Sequence, residues 1–234
     1  MIIFPQSLIK LAIFTHIEKC AGMSLCRLLK INKKTHPYDL MYRHRTLPED
    51  LCFVKVKMNK NIDLNKIFFF TCFRNPWDRV LSFYSYIRKI NLDESSIYWS
   101  SYHEICKKGT FSNFIEYVKH NYHLIPTFRT YKSRLIYNNN IVTDFIMNFH
   151  TLNNDIKYLK QIFNIKDKLP KINVSKHKSY KYYYDSTSEE IVRNIFQEDI
   201  NEFKFSFEKT NQLIKPKTNT LKIKSLLGHN LKIL

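Results

Sequence analysis

At 234 residues, with 44% hydrophobic and 15% aromatic content, the chain can bury one substantial core, which excludes a disordered protein. Its net charge of +18 asks for an anionic partner or a basic solvated surface; nucleic acid, an anionic membrane and a polyanionic small ligand all fit. No dense Lys/Arg block of the kind a DNA-binding arm carries is present, because the charge is spread along the chain. Five cysteines (Cys20, Cys26, Cys52, Cys72, Cys106) without CxxC spacing argue against zinc and against a disulfide framework, and read as free thiols in a reducing compartment. No apolar run approaches the ~20 residues of a membrane-spanning helix, so a cytoplasmic protein is expected, with no metal.

In chain order, residues 11–16 predict a strand, followed by a polar turn with Lys19 and a helix over 22–31. A helix opening at Gly22 presents unpaired N–H groups, and Lys19 adds the full charge that backbone dipoles lack. Gly22 lets the backbone approach an anion closely, and Ser24 offers a hydroxyl. A Walker loop needs Gly-x-x-x-x-Gly-Lys-Ser/Thr, whereas here Lys19 precedes the only glycine of the stretch. A kinase-like or NTPase reading is therefore poor. Asn32 to Asp50 reads as a polar loop with a short helix beginning near Leu47, and Leu51 to Val56 as an edge strand. Ile67 to Phe73 is a continuous apolar run, the pattern of a strand buried on both faces of a parallel sheet. It ends in Arg74-Asn75-Pro76, where Pro76 suits the first turn of a helix running to Lys89.

These two stretches carry a resemblance. His16-Ile17-Glu18-Lys19-Cys20-Ala21-Gly22-Met23-Ser24 resembles the 5′-phosphosulfate loop, His-Ile-Pro-Lys-Thr-Ala-Gly-Thr-Ser, of the PAPS-dependent carbohydrate sulfotransferases, the sulfotransferase family 2-like group. Glu18, Cys20 and Met23 stand where that loop has Pro, Thr and Thr. Arg74-Asn75-Pro76-Trp77-Asp78-Arg79-Val80-Leu81-Ser82-Phe83-Tyr84 matches the family's Arg-Asn-Pro-Trp/Tyr-x-Arg-x-x-Ser-x-Tyr element. The resemblance implies that Lys19, Ala21, Gly22, Met23 and Ser24 hold the phosphosulfate end of PAPS, and that Arg74 and Ser82 bind its 3′-phosphate. Arg79 and Trp77 are read as structural. Lys19 is placed to neutralise charge on the leaving phosphate. His44, in Arg43-His44-Arg45-Thr46, is the candidate base because relatives carry Lys-His-x-Thr between the two motifs; Glu18 is the alternative base, and His16 reads as core or loop support.

Beyond them, Phe111 to Asn121 predicts a helix with Phe111, Phe114, Ile115 and Val118 inward. His123 and Arg129 are weaker acceptor-binding candidates. Asn138 to Asn140 reads as a turn and Ile141 to Phe149 as a strand, leading into a helix capped at Thr151 or Asn153. Leu169 to Lys178 resembles the family's loop over the nucleotide, with Ser175 and Lys176 as donor-binding candidates. Asp185-Ser-Thr-Ser-Glu-Glu starts a helix with Ser or Thr as cap.

The resemblance spans about residues 10–207 and implies an α/β, P-loop-like three-layer fold, a central parallel sheet flanked by helices. The expected organisation is a sulfotransferase domain, 1–208, and a basic tail, 209–234, that could touch a membrane peripherally. PAPS is the implied donor, PAP its product, and a carbohydrate or glycolipid the acceptor; nucleic acid is not expected. The competing class is a non-catalytic basic module that binds nucleic acid or polyanionic glycans.

Overall fold

The structure, a computed structural model, describes residues 2–3, 11–31, 44–58, 63–93, 95, 100–174 and 177–210. Along them run the strands β1 (Ile2–Ile3), β2 (Ala12–Thr15), β3 (Phe68–Phe73), β4 (Ile136–Tyr137), β5 (Asn140–Ile141) and β6 (Phe145–Asn148). The α-helices are α1 (Gly22–Leu28), α2 (Leu47–Met58), α3 (Pro76–Ile87), α4 (Ser101–Lys108), α5 (Phe111–Asn121), α6 (Tyr131–Leu135), α7 (Leu152–Ile162), α8 (Ser186–Ile195) and α9 (Gln197–Phe203). Among the described residues, those up to Phe73 together with Tyr131–Ile172 make one compact unit; Arg74–Thr130 together with 173–174 and 177–210 make the other.

The first unit is α/β. Its sheet has the order β1-β2-β3-β6, with β2, β3 and β6 parallel and β1 antiparallel at the edge. Every residue of β2, β3 and β6 is buried, so the sheet needs cover on both faces. Alternation along the strands sorts the two faces. Leu11, Ile13, Ile67 and Phe69 pack with Leu47, Leu51 and Val54 of α2. Phe14, Phe68 and Phe70 stack on the other side, where Phe163, just past α7, meets Phe68 and Phe70. The unit is a sheet between helices, the P-loop-like arrangement expected.

Leu51 to Val56 is helical, not an edge strand. The spacing of Leu47, Leu51 and Val54 puts all three on one buried helical face, while Lys55 and Val56 are exposed. The alternating lysines fit either period, and the core contacts select the helix. The predicted strand over 141–149 also divides. Asn138 and Asn139 take positive φ (49° and 61°) and close a β4–β5 hairpin, leaving β6 only four residues. Asp144, entering β6, copies a strand residue: its N–H donates to the Phe69 carbonyl at 2.8 Å and its Oδ2 accepts from the Phe69 N–H at 2.9 Å. The α1 helix stops at Leu28, short of the expected 31, because Lys30 turns left-handed at φ 58°. The Lys30 and Ile31 N–H groups then donate back to the Arg27 and Cys26 carbonyls, a Schellman closure.

The second unit is helical. Asn75 caps α3 by accepting from the Trp77 N–H at 3.1 Å, and Pro76 occupies the first turn. Helix α5 spans the predicted residues, closed by a Thr110–Asn113 capping box, and packs against α3, α4 and α8. Phe83, Phe114, Phe128 and Phe196 form its aromatic centre.

The cap of α8 is Asp185, not Ser or Thr: its carboxylate accepts from the Ser188 N–H at 2.8 Å and from the Ser188 hydroxyl. Those two bonds hold its pKa below the ordinary 3.8. The ionised form therefore stabilises the fold, fully above the unfolded value and less as pH falls through the lower folded value. Asp185→Asn should melt earlier than wild type at pH 7, and the gap should narrow below pH ~4 in paired thermal melts.

Candidate functional site

The turn after β2 carries the first set of predicted residues. Lys19 and Ala21 both lie in the left-handed region, at φ 64° and 60°, a conformation that costs a residue with a Cβ about 1–3 kcal/mol. Three neighbours hold the turn in that shape. His16 is buried beneath it, its ring stacked on Phe14 at 5.7 Å and tilted against His44 at 4.7 Å. Cys20 is buried with its Sγ 3.8 Å from the Tyr131 hydroxyl, and Tyr131 stacks on Phe73 at 4.2 Å. Glu18, 8% exposed, is gripped by Arg134, whose Nη2 donates to both carboxylate oxygens at 2.7 and 2.6 Å.

Glycine at position 22 has a reason the sequence did not reveal. A Cβ there would lie 1.7 Å from His16 Nε2 and 1.9 Å from Cδ2. The missing side chain makes room for the imidazole, whatever approach the backbone also allows an anion. Met23 is half-buried. Ser24 accepts from the Ile172 N–H at 3.1 Å, which ties α1 to the start of the basic loop; accepting that bond does not use the hydroxyl hydrogen.

His44 belongs to the same unit and sits close to the turn. Its Nδ1 is 3.5 Å from the His16 carbonyl oxygen and 3.6 Å from Glu18 Oε1, and its side chain is 35% exposed. The Arg134 guanidinium also reaches it, Nη1 donating to the His44 carbonyl at 2.7 Å. Glu18, committed to Arg134, is unsuited to the alternative role of base. Arg134 itself was not singled out from sequence, since it lies in no motif.

The second predicted set lies on the Arg74 turn and α3. Arg74 is 6% exposed and its fork grips Asp78, Nε to Oδ2 at 2.7 Å and Nη2 to Oδ1 at 3.0 Å. Ser82 is 4% exposed on the same helix. Arg79 is fully buried, donating to the Thr127 and Arg129 carbonyls with its guanidinium over the Phe196 ring at 5.5 Å. Trp77 is fully buried too; its Nε1 donates to the Glu189 carbonyl at 3.0 Å, and its own carbonyl accepts from the Tyr184 hydroxyl at 2.9 Å. Burial raises the Tyr184 phenol well above its ordinary pKa, with Asp78 adding to the effect, so it stays a neutral donor. The structural reading of Arg79 and Trp77 fits these contacts.

His123 is exposed, and Arg129 offers its carbonyl to Arg79. Ser175 and Lys176 lie outside the described residues, as do the 32–43 stretch and residues 211–234 of the basic tail. Among the described residues no group of three or more His, Cys, Asp or Glu could hold a metal, and no helix is long and apolar enough to cross a membrane. All five cysteines are free, only Cys52 being exposed.

A model of the sulfotransferase family matches residues 10–206, a span that contains both the His16–Ser24 and the Arg74–Tyr84 stretches. No curated protein and no solved structure shows significant similarity to the chain.

Proposed function

The chain belongs to the sulfotransferase family, and from that premise we propose that it moves a sulfuryl group from PAPS to a hydroxyl or amine of a carbohydrate or glycolipid. The observation that carries this reading is the family match over residues 10–206, a span that takes in both stretches. PAPS would supply the sulfuryl group: its bond to the 5′-phosphate oxygen breaks as a bond to the acceptor oxygen or nitrogen forms, releasing PAP.

Lys19 neutralises the charge that gathers on the departing phosphate, with the Ala21, Gly22, Met23 and Ser24 stretch around it. Arg74 and Ser82 take the 3′-phosphate, Arg74 through the planar fork that suits a phosphate. Ser175 and Lys176 are the further donor-binding residues, meeting phosphate or adenine. His44 removes the acceptor's proton. The donor chemistry tolerates the Glu18 substitution, because Arg134 cancels a carboxylate that would otherwise repel an anion. In this reading residues 1–208 are the catalytic domain, and the basic tail, 209–234, adds peripheral membrane contact.

Calorimetry with PAP tests it. Wild type should bind, and Lys19→Ala should bind roughly ten- to a hundredfold more weakly, the worth of about 1.5–3 kcal/mol for a hydrogen bond to a charged group. Absence of PAP binding at low salt, together with salt-sensitive binding to nucleic acid or sulfated glycans, would replace the reading with a basic binding module.

A further inference from the structure

Glu18 occupies the position at which the resembled loops carry proline. A proline fixes its own φ and helps to set a turn, and a glutamate does not. Yet this turn holds two residues with side chains, Lys19 and Ala21, in the left-handed region. Such a backbone persists only where the surroundings over-determine it. Here a second element supplies restraint: Arg134, on α6, is fully buried and binds Glu18 through Nη2 and the His44 carbonyl through Nη1. One guanidinium thus joins the turn to the segment that carries the candidate base.

The same carboxylate lies beside the imidazole of His44. Two oxygens face its Nδ1, Glu18 Oε1 at 3.6 Å and the His16 carbonyl at 3.5 Å. Both are acceptors, an arrangement that favours the neutral ring with its hydrogen on Nδ1 and its lone pair on Nε2. His16 lies against one side of the ring, which limits its rotation.

We propose that Glu18, anchored by Arg134, is a positioning residue for His44, its negative charge beside Nδ1 favouring the hydrogen there so that Nε2 is the nitrogen that accepts the substrate proton. The tautomer follows from this chain's own contacts; its use in proton transfer rests on the sulfuryl-transfer reading above. Proline in the resembled loops has no side-chain acceptor, so the device belongs to this substitution.

The test is nitrogen NMR of the full chain labelled with 15N-histidine, at a pH where the ring is neutral, with His44 assigned by its disappearance in His44→Gln. Wild type should show Nδ1 as an N–H nitrogen and Nε2 as a lone-pair nitrogen. Glu18→Gln, which offers an amide in place of the charged acceptor, should raise the opposite tautomer at least threefold, and Arg134→Lys, which loses the fork that anchors Glu18, should do the same. A wild-type His44 protonated on Nε2, or a tautomer ratio unmoved in both variants, would overturn the proposal. Should neither variant fold, the wild-type spectrum alone decides. PAP calorimetry on the same wild-type sample tests the donor reading separately, since the tautomer of the free protein does not depend on it.

Discussion

Arg74→Ala should both remove measurable PAP binding and destabilise the fold, and a second substitution should pull the two effects apart. Arg74 and Asp78 form a buried, two-pronged pair, each side chain 7% exposed. Removing the guanidinium strands the Asp78 carboxylate without its main partner, a change that costs about 3–5 kcal/mol when a buried pair is broken on one side. Loss of the proposed 3′-phosphate contact should cost about 2–5 kcal/mol of affinity, or roughly thirtyfold to several thousandfold. Arg74→Ala/Asp78→Ala leaves no stranded carboxylate, so urea melts should recover most of the lost stability. PAP binding should not return. A double variant that binds PAP as well as wild type would show that Arg74 only braces α3. Arg74→Lys should also fail to restore binding, because an ammonium cannot span the carboxylate and a phosphate as a planar fork can.

The elements that stood out in sequence are those whose signal is local. The apolar run of β3 between polar flanks and Pro76 in the first turn of α3 are both observed as read. Helix α5 was legible because its four apolar residues recur at helical spacing. Asp78 could have been read as the partner of Arg74, since the two are spaced i,i+4 across the start of α3. What could not be read depends on contacts distant in sequence. Glu18 and Arg134 are 116 residues apart, and nothing near Arg134 marks it as the group that neutralises the loop. Helix α2 was misread because Val54, Val56 and Met58 alternate with Lys55 and Lys57 as a strand would; only burial of Leu47, Leu51 and Val54 against the sheet sets the period. At α8, four adjacent residues can each cap a helix, and the register, not the composition, selected Asp185.

Gly22→Ala should be among the most damaging single-methyl additions to the chain. Gly22 opens α1 with no positive φ, so its backbone suits alanine and the penalty is steric. The added Cβ would fall inside the His16 ring, 1.7 Å from Nε2, where no contact can form. A flexible neighbour would move aside, but His16 is 4% exposed and held between the Phe14 and His44 rings. Either the ring leaves its stack or α1 shifts away from β2, and overpacking of this kind costs about 1–3 kcal/mol, occasionally more. Both responses disturb the turn, since His16 lies beneath it and its carbonyl faces His44 Nδ1. PAP affinity should therefore fall together with the melting temperature. Gly22→Ala/His16→Ala removes the obstacle and should be more stable than Gly22→Ala alone, despite deleting a buried ring. If the double variant is the weaker of the two, glycine at this position answers to something other than the imidazole. If it regains stability and also PAP binding, His16 acts only as filler beneath the loop. Recovery of stability without recovery of binding would show that the ring beneath the turn gives the donor loop its binding shape.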